Sequence, residues 1–351
     1  MRLRNARVLF ALAMASALFY YPAHAANVAD IALYRGADRQ ARLEKAAKAE
    51  GEFTWYTTLS AETNGKILEA FQKRYPFIKP KLVRLQSGGL VQRYTTEYHA
   101  RSFLADVLDT NDSAIESFRR KGMLQPYYTP MAEKFDKRFL HPQGYWIANR
   151  TTMTSLGYNT RLVKPSEVPK RYEELLDSKW KDKIALARQD APWFMALMEY
   201  WGEERGKAFF QKLRTQNPKI RNGGTQMANL IAAGEDHLSP DTHSQGMASG
   251  QRLGAPVDWA NIEPVVAANN VSALAKNAPH PNAALIFLDF TLAKDGGQQA
   301  IREANRIPTH PEVLPDPPRL REGFNFIVID AIKYNDNIDR YSKLWHEWFL
   351  Q

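Results

Sequence analysis

Three strand–turn–helix units follow one another between residues 53 and 122, and this order constrains the fold more than any other feature. Phe53 to Thr57, Lys81 to Leu85 and Ala105 to Leu108 are short β-rich runs, each followed by turn residues and a helical pattern. Strands that are joined by helices pair in parallel through right-handed crossovers. The sequence therefore predicts an α/β fold built on a parallel sheet.

Capping residues mark where the helices of these units begin and end. Ser60 precedes a helix with apolar residues at helical spacing, so its hydroxyl is expected to cap that helix. The second helix is expected to begin near Leu90, and Ser113-x-x-Glu116 has the spacing of a capping box that would open the third. Gly122 stands where a glycine commonly ends a helix. These signals predict three compact βα units.

The remainder of the chain alternates less regularly. Tyr145 to Tyr158 is predicted to be extended, and 308–318 is proline-rich and predicted to be a surface loop. Hydrophobic periodicity predicts two more strands, at Lys183 to Ala187 and His237 to Ser239. It also predicts further helices, at Glu203 to Leu213, Thr225 to Ala233, Pro281 to Leu292 and Asp336 to Phe349.

The N-terminus has the pattern of a secretory signal peptide. Arg2, Arg4 and Arg7 precede an apolar run from Val8 to Phe19, and Ala23-His24-Ala25 offers a cleavage site. The apolar run is shorter than the roughly 20 residues that a transmembrane helix needs. Cleavage after residue 25 would remove three arginines and lower the formal charge from +9 to +6. Export through a cleaved signal peptide is therefore expected.

Several classes of protein are excluded by what the chain lacks. It has no cysteine, which rules out disulfide scaffolds, cysteine nucleophiles, thiolate metal sites and a lipoprotein anchor. It has no run of five like charges and no zinc-finger spacing, so a nucleic-acid partner is not expected. The residual positive charge could favour anionic solutes or keep the protein soluble.

The sequence also lacks the common catalytic motifs. There is no HExxH pair, no phosphate-binding loop and no G-x-S-x-G elbow. Asp236, His237, Asp241 and His243 cluster in the sequence, which leaves two interpretations open: a metal site, or a strand end and its loop. We expect a protein that is not an enzyme and needs no cofactor, with a secreted hydrolase of unrecognised site as the alternative.

Short segments between residues 51 and 305 resemble the periplasmic solute-binding proteins of ABC importers. They are FTWYT, QSGG, ADVLDTND, KGMLQPY, GYNTRLV, WKDKIAL and APHPNAALIFLDF. The branch that they resemble is that of the ferric-ion-binding proteins, whose relatives bind thiamine, phosphonates and sugar phosphates. The resemblance implies a protein, expected to be monomeric, that captures a small solute for an inner-membrane ABC permease.

The resemblance also implies a two-lobe, type II periplasmic binding protein fold. Such lobes are joined by a hinge of crossing strands and close on the ligand. The chain would cross near Asn149 to Met153 and again near Ala267 to Asn270. Residues 1–25 would be the signal peptide, with lobe one formed by 26–150 plus 269–305 and lobe two by 151–268 plus 306–351.

The ligand is expected beyond the carboxyl ends of the strands, where loops present backbone N–H groups and helix N-termini. In lobe one this rule selects Thr58, Ser60, Ser87, Gly88, Gly89 and Asn111. Glycines allow a backbone to approach an anion closely, although Ser87 to Gly89 could equally be an ordinary strand–helix turn. In lobe two the rule selects Arg188, and the resemblance adds Asp241 and Thr242.

Two arginines, Arg150 and Arg188, could hold an anion in this cleft. A guanidinium binds phosphate or carboxylate through two parallel hydrogen bonds, which an ammonium cannot do. Each arginine could instead belong to a surface ion pair. Arg188 is expected to contribute most within lobe two, because it follows the strand Lys183 to Ala187. The sequence therefore favours a phosphorylated or carboxylated anion as the solute.

Iron(III) is the alternative ligand that the resemblance raises. The ferric branch usually holds the metal with two adjacent tyrosines, a histidine and a glutamate. The matching positions here are Thr242 and His243, Ser60, and Val91. Hydroxyls and one imidazole bind a hard cation poorly, so direct ferric coordination is not expected, and a chelated iron stays open. The adjacent pair Tyr127-Tyr128 is expected to pack on the back of lobe one.

Overall fold

The computed structural model describes residues 28–188 and 191–350 of the chain. The predicted signal peptide, residues 1–25, lies outside these described residues. Across the part of the chain that the structure describes, no helix is both long enough and apolar enough to cross a membrane. Helices and strands alternate along this part of the chain, as the sequence predicts.

The helices are α1 (Val28–Ala32), α2 (Arg39–Glu50), α3 (Ala61–Arg74), α4 (Ser87–His99), α5 (Asp112–Arg120), α6 (Ala191–Trp201), α7 (Glu203–Thr215), α8 (Gly224–Ala233), α9 (Ser244–Arg252), α10 (Pro281–Leu292), α11 (Gln299–Glu303) and α12 (Ala331–Phe349). The strands are β1 (Glu52–Thr57), β2 (Lys79–Arg84), β3 (Val107–Asn111), β4 (Leu124–Gln125), β5 (Ile147–Asn159), β6 (Ala185–Ala187), β7 (Lys219–Arg221), β8 (Leu238–His243), β9 (Val257–Ala260), β10 (Val265–Ala275), β11 (Ile307–Pro308) and β12 (Phe326–Val328). Short 3-10 turns cover Pro130–Lys134, Lys137–Phe139, Tyr172–Leu176, Ser178–Trp180 and Pro318–Leu320, and a π-helical turn covers Lys294–Gln298.

The first three strands are parallel, as predicted. Trp55 in β1 lies opposite Leu82 in β2 on one side and opposite Val107 in β3 on the other. Helix α10 covers this sheet, and the ring of Phe287 lies 4.7 Å from that of Phe53 and 4.9 Å from that of Trp55. Because these aromatic rings alternate along β1, they form one buried face, and the α/β fold class is confirmed.

The start of α5 differs from the prediction. Strand β3 continues to Asn111, whose side-chain oxygen accepts a hydrogen bond from the amide of Ala114 at 2.9 Å and so caps the helix. The capping box predicted at Ser113 is wrong, because the Ser113 hydroxyl donates to the Asn111 oxygen at 2.9 Å instead of accepting from the helix. The polar end of β3 is therefore also the N-terminus of α5.

Two long strands connect two parts of the molecule. β5 and β10 pair antiparallel, from Thr154 opposite Val266 to Ile147 opposite Ser272. Residues 147–148 and 271–275 pack in the core that contains β1 and α10. The other ends of both strands pack in the cores around α6, α8 and α9. We call the part built on the first core lobe one and the other part lobe two; the exact limits given above stay a prediction.

The main core of lobe two is aromatic. The ring of Phe194 in α6 lies 4.6 Å from that of Phe210 in α7 and 5.6 Å from that of Trp345 in α12. Helix α12 begins earlier than predicted, because the carboxylate of Asp330 accepts hydrogen bonds from two amides of its first turn. The additional turn brings α12 into contact with α5 of lobe one.

Candidate functional site

Three helices of lobe one begin where a parallel strand ends, so their N-termini share one edge of the sheet. α3 follows β1, α4 follows β2 and α5 follows β3. Ser60 caps α3, as predicted, by accepting a hydrogen bond from the amide of Thr63 at 3.3 Å. The side-chain amide of Asn111, which caps α5, donates to Ser87 Oγ at 3.0 Å. The structure thus brings Ser60, Ser87 and Asn111 to one edge of lobe one.

The turn at the start of α4 leaves room for a ligand. The helix begins at Ser87, earlier than predicted, and no side chain caps it. Gly88 and Gly89 are exposed, and a Cβ placed on either would meet no atom within 4 Å. Thr58 lies deeper, with its hydroxyl 3.4 Å from that of Thr110. The first-turn amides of α4 have no side-chain cap, and such amides attract anions.

Lobe two presents a second set of uncapped helix N-termini. α8 begins at Gly224 and α9 at Ser244, and neither has a side-chain cap. His243 ends β8 with an exposed side chain, and a Cβ on Gly224 would stand 3.4 Å from His243 Nδ1. Arg188 follows β6, is exposed, and donates from Nε to Asn222 Oδ1 at 3.2 Å. These groups give lobe two a positive, hydrogen-bond-donating face.

Two of the predicted residues in lobe two are buried and bonded within the fold. Asp241 accepts a hydrogen bond from the amide of Ala187 at 2.8 Å and another from a neighbouring serine hydroxyl at 2.5 Å. The hydroxyl of Thr242 donates to the main-chain carbonyl of Ser155 at 2.7 Å. Asp241 and Thr242 are 2% and 0% exposed. In this structure their polar atoms hold β8 against β5 and β6.

Arg150 is also buried, and its charge is balanced inside the protein. Its Nη1 lies 2.9 Å from Asp109 Oδ1, and the two side chains are 5% and 0% exposed. Asp109 Oδ2 accepts further hydrogen bonds from Asn149 at 2.8 Å and from Ser272 at 2.7 Å. The other Arg150 nitrogen, Nη2, donates to Asn270 Oδ1 at 3.3 Å. This Arg150–Asp109 network joins β3, β5 and β10 where the long strands pass between the lobes.

Arg306, which sequence reasoning did not select, lies between the two lobes. It precedes β11, which pairs with β5 next to Arg150. Its Nε lies 3.5 Å from Thr63 Oγ1 at the start of α3 in lobe one. On its other side it lines, together with His243 of lobe two, a cavity of about 370 Å³. Within residues 28–188 and 191–350, no carboxylate lies within ion-pair distance of its guanidinium. The exposed carboxylate of Glu62, in the first turn of α3, acts on it from farther away.

The charges around this cavity repel one another. Burial, and then the positive charge of Arg150, lower the pKa of Arg306 below its ordinary value, and the carboxylate of Glu62 opposes this shift in part. Desolvation by the surrounding protein, and then the charge of Arg306, lower the pKa of His243, although its side chain remains accessible to solvent. Both pKa shifts mean that the charged forms of Arg306 and His243 are disfavoured. An anion bound between the two side chains would stabilise the charged forms and raise both pKa values.

A second arginine that sequence reasoning missed is Arg84. It is the last residue of β2, is exposed, and donates from Nε to the carbonyl of Leu59 at 2.7 Å. The rule that ligands bind at the carboxyl ends of strands could have selected it. No such signal marks Arg306, because only the pairing of the two-residue strand β11 with β5 brings it into the cleft.

The sequence cluster from Asp236 to His243 is a strand and its ends. Asp236 is fully buried and accepts two hydrogen bonds from Arg221, at 2.8 Å and 2.7 Å. The described residues contain no group of three or more His, Asp or Glu side chains that could hold a metal ion. Of the two interpretations left open above, the structure supports the strand end.

The adjacent tyrosines of lobe one are not part of this cleft. Tyr127 is buried and donates to the main-chain carbonyl of Ser272 at 3.3 Å, and burial raises its pKa. The ring of Tyr128 lies 4.6 Å from the guanidinium carbon of Arg35. Both line a different cavity, beside Leu33. Neither phenol is placed to meet a ligand bound between the lobes.

Comparisons with solved structures agree with this architecture. A Trichodesmium protein (IdiA, FutA), solved in complex with iron and citrate, has a TM-score of 0.73 and 20% identity, covering 85% of this chain and 100% of that chain. AfuA from Actinobacillus pleuropneumoniae, solved with bound fructose-6-phosphate, has a TM-score of 0.70 and 20% identity, covering 86% and 99%. These likenesses confirm the two-lobe periplasmic binding protein fold.

Sequence comparisons identify the family. Iron uptake protein A2 of Synechocystis is 25% identical over 300 residues, which cover 79% of this chain and 84% of that protein. Residues 102–335, more than half of the chain, match the family described as bacterial extracellular solute-binding protein. The resemblance noted in the sequence is thereby confirmed, and the chain belongs to the bacterial extracellular solute-binding protein family, whose members deliver solutes to importers.

Proposed function

We propose that this protein captures a small phosphorylated or carboxylated anion in the periplasm and delivers it to an ABC permease without chemical change. The observation that carries the proposal is Arg306, a partly buried guanidinium between the lobes that forms no ion pair with the described residues. The carboxylate of Glu62 acts on it only from beyond ion-pair distance and offsets its charge in part. A cation in such a position is costly unless an opposite charge joins it. The monomeric state and the absence of a nucleic-acid partner stay predictions.

The surroundings of Arg306 favour an anion over a cation. His243 lies on one side, and the uncapped N-termini of α8 and α9 are on the same lobe. The uncapped N-terminus of α4 and the exposed guanidinium of Arg84 lie on the other lobe. Helix N-termini carry partial positive charge, so all of these groups attract negative charge. Closure of the lobes would bring both sets onto one solute.

An iron–carboxylate complex is the second candidate. One similar structure holds iron and citrate, and one similar protein is named for iron uptake. Such a complex can be bound through its carboxylates, which need arginines and amides rather than tyrosinates. Free iron(III) is less well supported, because Ser60, Val91, Thr242 and His243 supply no hard anionic ligand.

A thermal-shift and calorimetry series on the wild-type protein tests the proposal. The compounds would be inorganic phosphate, a sugar phosphate, citrate, ferric citrate and ferric nitrilotriacetate. A ligand of the native state raises the melting temperature, and its amount must be unchanged after incubation. Binding of phosphate compounds or of citrate supports the anion, and binding of ferric citrate alone supports the second candidate.

Three results would contradict the proposal. An intense visible tyrosinate-to-iron absorption band on loading with ferric nitrilotriacetate would establish direct coordination of iron. Conversion of the stabilising compound into a product would establish an enzyme. Stabilisation by cationic or neutral compounds, and by none of the anions, would show that the positive groups of the cleft do not select the solute.

A further inference from the structure

A second contact between the lobes lies where α5 of lobe one meets α12, which packs in lobe two. Arg120 of α5 binds the carboxylate of Asp336 at 2.6 Å and the carbonyl of Ile332 at 2.8 Å. The side-chain amide of Asn335 donates to the carbonyl of Ser113 at 3.1 Å. A rotation of one lobe against the other would have to break or rearrange these bonds. We call this contact the α5–α12 junction.

A buried carboxyl group, that of Asp112, lies at this junction. Asp112 is the first residue of α5 and is 5% exposed. Its Oδ2 has no hydrogen-bond partner among the described residues. A buried carboxylate with an unsatisfied oxygen is strongly disfavoured, whereas the neutral acid is tolerated. The observed arrangement of the lobes therefore suits a protonated Asp112.

The charged groups around Asp112 add to this preference. Asp330, which caps α12, acts on it as a like charge, and Glu116 of its own helix does the same. Lys333 in the first turn of α12 is exposed and lies 4.0 Å from the carboxylate of Glu199. Glu116 is already bound by Arg119 and Arg120, at 2.7 Å and 3.0 Å. His141 lies 3.9 Å from Glu116, and burial lowers its pKa, which disfavours a positive charge on its ring.

The other elements packed against α5 bring no free cation to Asp112. From β3, Asp109 is paired with Arg150. From α4, Arg93 and Glu97 are paired with each other at 2.7 Å. Strand β10 contains no titratable side chain. In the part of the chain that the structure describes, the groups nearest to Asp112 thus oppose its ionisation.

We propose that Asp112 is a proton-dependent lock between the lobes, in which the neutral acid allows the α5–α12 junction to form and the ionised acid loosens it. Ionisation places an unsolvated negative charge on the buried Asp112, where it is repelled by the exposed carboxylate of Asp330, and separation of α5 from α12 lets water solvate that charge. The lock itself does not depend on the proposed function. A solute affinity that changes with pH, which would be its consequence, does rest on the proposed function.

The titration range of this lock follows from its burial. Desolvation, opposed in part by amides of the first helical turn, raises the pKa of Asp112 to about 8. The carboxyl pKa of Asp112 is higher when the α5–α12 junction is formed than when it is separated. Separation of the junction between these two pKa values therefore releases a proton. The junction is therefore most stable at low pH, weakens as pH rises above the ordinary aspartate pKa, and reaches its full loss above about pH 8.

Distances between the lobes, measured without any solute, test the lock. The chain has no cysteine, so spin labels on Gln72→Cys in α3 and Gln211→Cys in α7, both exposed positions, report one distance. Between about pH 6 and about pH 9.5, we expect a second distance population with a midpoint near pH 8. The same labelled chain carrying Asp112→Asn should keep its low-pH distance throughout.

Two further variants keep the test decisive if Asp112→Asn does not fold. Asp330→Asn removes the neighbouring charge but keeps a capping side chain, so the midpoint should move to lower pH. Arg120→Ala weakens the junction through a different bond and should raise the second population at every pH. Distances that do not change with pH, or that change equally in wild type and in both carboxylate variants, would overturn the proposal.

Discussion

Arg150 and Arg306 lie next to each other at the hinge, yet their surroundings are opposite. Arg150 is bound to Asp109, and three further polar side chains, of which Asn149 and Ser272 are buried and Asn270 is partly buried, complete the network. Among the described residues, the Arg306 side chain has one weak hydrogen bond, 3.5 Å to a threonine hydroxyl, and a longer-range interaction with Glu62, and it lines a cavity. The first arginine holds the fold together, and the second is available to a ligand.

The comparison shows that the partner, and not the residue type, decides what a buried cation does. A buried ion pair with complete hydrogen bonding satisfies itself, and it becomes costly only when one member is removed. An unpaired, partly desolvated arginine retains the capacity to bind a charge from outside. The charge of Arg150 lowers the pKa of Arg306 and so disfavours a second positive charge beside it.

The largest expected effect is on stability, from Asp109→Ala. This change leaves Arg150 charged and buried without its partner, so the free energy of unfolding should fall by about 3–5 kcal/mol. Urea denaturation measures the change. The matched control is Asp109→Asn combined with Arg150→Met, which leaves no unpaired charge and should lose less. A loss below about 1 kcal/mol for Asp109→Ala would show that the network does not depend on this pair.

The next effect is on affinity, from Arg306→Ala. Binding of the anion found in the compound series should weaken by about 2–5 kcal/mol, because a ligand charge loses its partner in a desolvated cleft. Arg306→Lys should also lose affinity, since one ammonium cannot form two parallel hydrogen bonds. Calorimetry checks both, with Arg302→Ala on the neighbouring helix as control. Dissociation constants within about twofold of wild type would contradict the role of Arg306.

Asp241→Ala should affect stability more than affinity. It leaves the amide of Ala187 buried without an acceptor, which costs about 1–3 kcal/mol in the free energy of unfolding. Denaturation and calorimetry on the same preparation separate the two quantities. A loss of affinity with unchanged stability would instead support the sequence-based prediction that Asp241 contacts the solute.

Arg188→Ala should have the smallest effect. The side chain is exposed and hydrogen-bonded to Asn222, so water and salt screen its charge, and the affinity should change by about 0–1 kcal/mol. Titrations at low and high salt measure it. A loss of about 2–5 kcal/mol would restore Arg188 to the leading role that its position in the sequence suggests.

The sequence by itself determined the parallel βα order of lobe one and several helix ends. Ser60 caps α3 as predicted, and Gly122 and Gly234 take the left-handed conformation that ends a helix. Turn residues, helix caps and hydrophobic periodicity depend on residues a few positions apart. One segment of the sequence therefore contains all the residues that determine these features. For the same reason α10 begins and ends at the predicted residues, Pro281 and Leu292.

The tertiary structure alone decided which polar residues are paired within the fold and which line the cleft. Arg150 meets Asp109 only because β3 and β5 both pair with β10, and Arg306 reaches the cleft only because β11 pairs with β5. Asp112 lies beside Asp330 through the packing of α12 on α5. Strand pairing and helix packing between residues far apart in the sequence determine the partner of a buried charge. No local sequence pattern indicates which partner that will be.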